Sequence, residues 1–366
     1  MDKQFMQTAI DLAKTAEGQT GKNPLVGAVV VKNNQVVGLG AHLMYGEPHA
    51  EVNALTMAGS AAEGSTLYVT LEPCNHHGKT PPCTELIISS RVKRVVIGSK
   101  DPNPIVNGKG IKRLQDAGIA VTEGILKEEC DQLNTMLFHS LRTGLPFVTL
   151  KSAVSLDGKT AVESGESKWI TGEEARKDVH LYRSSHQSIL VGVNTVIQDD
   201  PSLTARLPNV QKQPVRVVLD SSLKIPLHSK VLNDREAETW IFTTNQANAE
   251  KVNFLKSEGI RVFQSSSQQP SVREVLRTLA SEGIYSVFVE GGSKVHSSFL
   301  KDQLYQQLII YYAPKLIGGK SSPGLFSDVG FQSMKDVPLL TIHSISKIGR
   351  DFKLIAAPSV ENFPNG

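Results

Sequence analysis

The sequence predicts two successive α/β domains, residues 1–144 and 145–366. Three observations carry that reading. Helix-spaced and strand-spaced apolar runs alternate along the chain, the pattern of sheets covered by helices. At 366 residues there is room for two cores. The turn-forming run Arg142-Thr143-Gly144-Leu145-Pro146 interrupts the alternation, and a new apolar stretch opens at Phe147.

In the first domain Phe5, Met6, Ala9, Ile10, Leu12 and Ala13 recur at helical spacing and predict a helix over 3–17. The apolar run 28–31, the Asn33-Asn34 turn and a return over 35–40 make a hairpin. A helix over 49–58, strand 65–71, helix 83–90, strand 94–98, helix 110–117, strand 119–123 and one long helix over 126–142 follow. This order gives a three-layer α/β/α sandwich. In the second domain strands are predicted at 147–153, 188–191, 215–219, 239–243, 261–263, 286–289 and 308–313. Helices lie between most of them, 172–184 and 272–282 being the clearest, so the sheet is mostly parallel. Residues 264–271, rich in Ser and Gln, read as a polar loop and the last ten residues as a loose tail.

Bulk properties exclude several classes. Net charge is +3, from 39 basic and 36 acidic residues, too small for a nucleic-acid groove. No apolar run approaches the ~20 residues of a membrane span. Residues 1–16 are amphipathic and lack the apolar core of a signal peptide. Three cysteines, two of them claimed by the metal site below, leave no disulfide framework and point to a reducing cytoplasm.

That metal site is read from His49-Ala50-Glu51, Glu72-Pro73-Cys74 and Cys83. His49, Cys74 and Cys83 offer three zinc ligands, leaving the fourth position for water as catalytic sites do. Zinc lowers the pKa of that water toward ~7. Glu51, two residues past the ligand His49, is placed to carry a proton from the water to a leaving nitrogen. His-x-Glu followed by Pro-Cys and a second Cys is the pattern of zinc-dependent base deaminases. The competing reading is a closed structural zinc completed by His76 or His77. Between the two cysteines lie residues 75–82, a polar loop longer than the usual two-residue spacing and stiffened by Pro81-Pro82. Lys79 in this loop suggests an anion contact and a phosphorylated substrate, against the simpler reading of a solvated lysine.

The second domain offers Val289-Glu290-Gly291-Gly292-Ser293, a strand, a glycine turn and a helix start. Such a turn lets a phosphate approach backbone N–H groups, although it serves equally as a tight connection, and the G-x-G-x-x-G fingerprint is absent. Glu290 stands at a strand's C-terminal end, where α/β sheets place ligand contacts. Asp157-Gly158 reads as a turn, Trp169 as a core or loop anchor, and Arg183 as a solvated helix face. The residues alone therefore describe a small-molecule-binding domain with an anion site.

Taken together, Asn-Pro-x-Val-Gly at 23–27, His-Ala-Glu at 49–51 and Glu-Pro-Cys-x-His-x-Gly-Lys-Thr-Pro-Pro-Cys at 72–83 resemble the bifunctional riboflavin-biosynthesis deaminase/reductase family. Lys-Ser-Ala-x-Ser-Leu-Asp-Gly at 151–158, Trp-Ile-Thr-Gly at 169–172, Asp-Asp-Pro-x-Leu-Thr-x-Arg at 199–206 and Glu-Gly-Gly at 290–292 extend the resemblance over nearly the whole chain. It implies a cytidine-deaminase-like domain that deaminates 2,5-diamino-6-(5-phosphoribosylamino)pyrimidin-4-one. It also implies a dihydrofolate-reductase-like domain that reduces the ribosyl chain to ribityl with NADPH. By position, the resemblance gives His49, Cys74 and Cys83 to zinc and Glu51 to proton transfer. Asn23, His42, His76, Lys79 and Asn103 line the first pocket, with Lys79 toward the phosphate. Ala153, Trp169, Thr195, Asp199, Ser221 or Ser222, and Gly292, Ser293, Lys294, Val295, His296, Ser297 and Ser298 meet NADPH. Lys151, Ser167, Arg183, Leu203, Arg206 and Glu290 meet the second substrate, with the two guanidinium forks suited to its phosphate. Lys151, Asp199 and Glu290 are the candidates for the reductive proton. The family further implies a homo-oligomer acting on small phosphorylated pyrimidines, while net charge and the lack of a long apolar run argue against nucleic-acid and membrane partners. Two other readings are a zinc deaminase whose second domain only binds, and a zinc-stabilised module without turnover.

Overall fold

The computed structural model describes residues 1–76, 81–103, 106–208, 210, 212–327 and 329–359. They form two compact units, Met1–Gly144 and Leu145–Gly366.

The first unit runs α1 (Asp2–Lys14), β1 (Gly27–Lys32), β2 (Gln35–Ala41), α2 (Ala50–Ala58), β3 (Thr66–Leu71), α3 (Cys83–Ser89), β4 (Arg94–Ser99), α4 (Lys109–Asp116), β5 (Ala120–Glu123), α5 (Lys127–Leu133) and α6 (Thr135–Thr143). Its sheet has the order β2-β1-β3-β4-β5. β1 pairs antiparallel with β2 and β3, while β4 pairs parallel with β3 and β5. Successive strand side chains point to opposite faces, and both faces are apolar here. Ala28, Val30, Leu67, Val69, Val95 and Ile97 pack with α2, α3 and α4. Val29, Val31, Tyr68 and Val96 pack with α1 and α5. Burial on both faces produces the three layers.

The predicted long helix over 126–142 is two helices. Asn134 leaves the helical region at φ −123°. Its buried amide accepts from Leu25 N at 2.8 Å and donates to Leu25 O at 2.9 Å. The side chain thus pairs with a backbone peptide as a strand would, and that tertiary bond outweighs the helical periodicity.

The second unit contains β6 (Phe147–Ser155), α7 (Glu173–Ser185), β7 (Ser188–Gly192), α8 (Val193–Asp199), β8 (Val215–Leu219), α9 (Lys230–Asn233), β9 (Thr239–Thr244), α10 (Ala249–Ser257), β10 (Arg261–Ser265), α11 (Val272–Ser281), β11 (Ser286–Val289), α12 (Ser293–Lys301), β12 (Gln307–Ala313), β13 (Leu340–Ile348) and β14 (Asp351–Pro358). The order is β10-β9-β8-β7-β11-β6-β12-β14-β13, parallel from β10 to β12 and antiparallel thereafter. α11 and α12 cover one face, with Val148, Leu150, Val287 and Val289 beneath them. α7, α8 and α10 cover the other, over Ile189, Phe288, Ile309 and Tyr311.

The β13–β14 hairpin was not legible in the sequence, and it takes in residues 357 and 358 of the expected tail. Nearly all of β13 is exposed, and its register shifts between Ile342 and Ser344, so no period-two burial marks it. Residues 264 and 265 of the expected loop close β10.

Candidate active sites

Beyond Leu71 at the end of β3, Glu72 and Pro73 lead to Cys74. His49 is the N-cap of α2 and Cys83 the first residue of α3. One strand end and two helix starts thus converge. His49 Nδ1 lies 3.2 Å from Cys83 Sγ and 3.6 Å from Cys74 Sγ, and the three donor atoms fall within 4.8 Å of one another. A tetrahedral zinc with nitrogen at ~2.0 Å and sulfur at ~2.3 Å spaces those two atoms about 3.5 Å apart, so the donor set fits the ion. A hydrogen bond from Cys83, with a further one from His49, holds the Cys74 thiol well below its usual range, toward the thiolate that binds metal.

Glu51 sits in the first turn of α2, 4% exposed. Burial, reinforced by the negative charge of Cys74, pushes its carboxyl up to about 7. A cavity of about 360 Å³ lies over these residues, and Asn23, His42, His76, Asp101 and Asn103 stand on its wall. Asn23 Nδ2 donates to His42 Nε2 at 2.9 Å, and His42 Nδ1 is 3.2 Å from Pro48 O. Burial lowers the His42 pKa, so a neutral ring that donates through Nδ1 satisfies both contacts. His76 is on the cavity wall and outside the ligand cluster; His77 and Lys79 lie outside the described residues.

Glu72 also stands on this wall and is almost wholly buried. Its Oε1 accepts from Gly110 N at 3.0 Å and Ile111 N at 3.3 Å. Its Oε2 accepts from Gly108 N at 3.0 Å and Asp101 N at 3.4 Å.

In the second unit Val289 pairs with Leu150 across parallel strands, so Glu290 follows beside Lys151 on the face that α7 covers. Arg183 of α7 reaches Glu290 with both fork nitrogens, at 2.5 and 2.9 Å. Lys151 Nζ lies 3.7 Å from the same carboxylate. Burial pushes Glu290 up, but Arg183 and Lys151 outweigh it and hold the carboxyl down at about 2. Burial also lowers the Lys151 pKa. Arg183 is therefore no solvated residue: its side chain is 13% exposed. Beside this cluster Gly291 and Gly292 lead into α12, whose N-cap Gly292 has φ +70° and no side-chain cap. A Cβ on Gly291 would lie 2.8 Å from Val191 Cα. The uncapped first turn of α12 fits a cofactor phosphate.

Residues 1–99 match the cytidine and deoxycytidylate deaminase zinc-binding region, and residues 146–354 match the RibD C-terminal domain. The riboflavin biosynthesis protein RibD of Bacillus amyloliquefaciens is 57% identical over 98% of this chain and 96% of its own length. The chain belongs to the RibD family. The RibD of Escherichia coli K12 is 39% identical over 96% of this chain and 97% of its own. A solved Acinetobacter baumannii RibD superposes with TM-score 0.90 at 39% identity, over 98% of this chain and 99% of that one. A Thermotoga maritima structure described as a diaminohydroxyphosphoribosylaminopyrimidine deaminase/5-amino-6-(5-phosphoribosylamino)uracil reductase gives 0.86 at 38%, with the same coverage. The fold is thus a cytidine-deaminase-like α/β/α unit followed by a RibD reductase unit.

The remaining expected contacts lie in and after several elements of the second unit. Thr195 Oγ1 is 3.9 Å from where a Gly292 Cβ would stand. Ser221 O accepts the hydroxyls of Thr243 and Thr244, with Ser222 next in the same turn. Within α12, His296 is buried with Nε2 3.3 Å from Val289 O, Ser297 Oγ donates to Ser293 O and accepts from Ser327 N, and Ser298 Oγ donates to Lys294 O. Val295 packs on Gly192. Ala153 packs against the core under α7, and Ser167 is half-buried.

Three expectations change. Trp169 is not a core anchor: it is 61% exposed with Arg176 over its ring at 4.5 Å. Leu203 is 2% exposed and its side chain packs in the core. Asp199 is paired with Lys168 at 3.5 Å. Arg206 places its backbone N on His180 Nδ1 at 3.1 Å. Sequence reasoning passed over Glu72 as a site residue, since a clamp made of backbone N–H groups leaves no trace in side-chain types.

Proposed function

We propose that His49, Cys74 and Cys83 hold the zinc of a pyrimidine deaminase with Glu51 as its proton carrier, and that Lys151, Arg183 and Glu290 form the substrate end of a reductase. The chain is a bifunctional riboflavin-biosynthesis enzyme. It deaminates 2,5-diamino-6-(5-phosphoribosylamino)pyrimidin-4-one to the uracil compound with zinc and then reduces the ribosyl chain to ribityl with NADPH. The observation that carries the reading is the convergence of three zinc-type donors beside a buried glutamate, in a chain that matches RibD from end to end.

Zinc held by His49, Cys74 and Cys83 would supply an activated water for the first step. Glu51 takes a proton there and returns one to the departing amine; its burial keeps bulk water from competing. Asn23, His42, His76 and Asn103 orient the ring, and Lys79 meets the phosphate. In the second step NADPH supplies the hydride. Gly292, Ser293, Lys294, Val295, His296, Ser297 and Ser298, with Ala153, Trp169, Thr195, Asp199, Ser221 and Ser222, hold the cofactor. Ser167, Leu203 and Arg206 complete the substrate side. Glu290, fixed by the Arg183 fork, orients Lys151. We favour Lys151 over Asp199 for the reductive proton, because burial lowers the Lys151 pKa and so eases release of its proton.

Mass spectrometry of the diaminopyrimidinone ribosyl phosphate tests the order of events. With zinc-loaded protein alone, an amine is replaced by oxygen; on adding NADPH, two hydrogens are gained. Deamination without reduction would leave the second unit a binding module. No change at all would return the zinc to a structural role.

Two coarser readings accompany this one. Unpaired Cys74, Cys83 and Cys130 suit a reducing cytoplasm, and among the described residues no helix is long and apolar enough to cross a membrane. Exposed Leu340, Ile342 and Ile345 on the edge strand β13 support a homo-oligomer. A monomer mass in light scattering, unchanged with concentration, would count against it.

A further inference from the structure

We propose that Glu72 is a positioning residue of the deaminase, fixing the cavity wall that carries Asn103 against the metal-ligand segment. The inference rests on the deaminase reading above. Glu72 is 4% exposed, and a carboxylate so buried needs compensating donors. Its donors are the backbone N–H groups of Asp101, Gly108, Gly110 and Ile111, a set that brackets Asn103. On its other side the chain reaches the ligand Cys74 two residues later. The same segment touches Pro73 as well, since a Cβ on Gly110 would lie 2.1 Å from Pro73 O. Both residues between β3 and the ligand are thus held by the stretch that forms the wall. Asp101 N–H serves the carboxylate while Asp101 Oδ1 accepts Asn103 N at 2.8 Å, which passes the constraint directly to Asn103. No step of the chemistry needs Glu72, yet the distance between substrate contacts and metal ligands depends on it.

An amide at position 72 keeps the shape but presents N–H groups to backbone N–H groups. The charge that four backbone N–H groups share is lost, so Glu72→Gln is expected to raise the deaminase KM on the order of tenfold or more. kcat should fall far less, and zinc content and the reductase rate of the same polypeptide should stay at parental values. A parental KM in the variant overturns the proposal. So does loss of zinc in step with activity, because Glu72 would then serve the ligand and not the wall. Should Glu72→Gln fail to fold, Gly110→Ala, whose added Cβ would press on Pro73 O and on the Glu72 side chain, is expected to raise KM in the same way; a parental KM there also overturns it. If the parent enzyme itself does not deaminate, the deaminase reading fails and not the clamp alone.

Discussion

Glu51 and Glu290 are both buried carboxylates whose surroundings push them in opposite directions. Glu51 has burial and a neighbouring thiolate, and is held near neutrality. Glu290 has Arg183 and Lys151, and is held ionised. A proton carrier and a fixed anion follow from those settings. Glu51→Gln is expected to lower deamination by on the order of a hundredfold or more, as the loss of a general acid–base does. Its zinc content, read by atomic absorption, should stay parental; zinc loss or a retained rate would sink the assignment. Glu290→Gln leaves Arg183 and Lys151 without their anion. Breaking such a buried pair costs about 3–5 kcal/mol, so urea unfolding of the second unit should shift by that order while deamination persists. Arg206→Ala should weaken reduction and spare deamination; equal damage to both would contradict separate sites.

At the scale of the element, α7 shows what sequence could and could not tell. Its 3.6-residue pattern and its place after Gly172 were legible, because Ala175 and Val179 face the core. The role of Arg183 was not, because only tertiary packing turns that position toward Glu290. The metal ligands were legible for the opposite reason: they sit at element boundaries, where cap and turn chemistry speaks locally. The break at Asn134 and the β13–β14 ribbon were hidden, one behind good helical spacing and the other behind an absence of buried alternation. The end of α7 also carries a pH dependence. His186, its C-cap, donates from Nδ1 to Tyr182 O at 2.7 Å and takes a bond at Nε2 from Thr149 at 2.9 Å. Phe288 lies over the ring at 5.0 Å, and Glu290 is the charge that faces it. Burial lowers its pKa from 6.5 to about 4. Below pH 6.5 the unfolded chain takes up the proton first, so this contribution is whole above 6.5 and declines as pH falls toward 4. At pH 5 the loss is about 2 kcal/mol. Denaturation at pH 7 and pH 5 should show it, and His186→Gln should remove it; an unchanged slope in the variant would refute the assignment.

Across the whole molecule, each unit has its own sheet, its own core on both faces and its own cluster of reactive groups. The two half-reactions need no shared side chain. A chain carrying Glu51→Gln mixed with one carrying Lys151→Met is therefore expected to restore the full conversion that neither achieves alone. Failure of the mixture, with each remaining single activity intact, would show that the intermediate does not leave the chain that made it.

The Leu25–Asn134 pair sets a condition on synthesis. It closes a loop of 109 residues, so the peptide beside Asn23 finds its partner only after α5 has been translated. A fragment ending at residue 99 would hold all three ligands and Glu51, yet lack Asn103, the donors around Glu72 and the amide that secures Leu25. A nascent chain would thus be able to gather its metal well before it had a pocket to use it in.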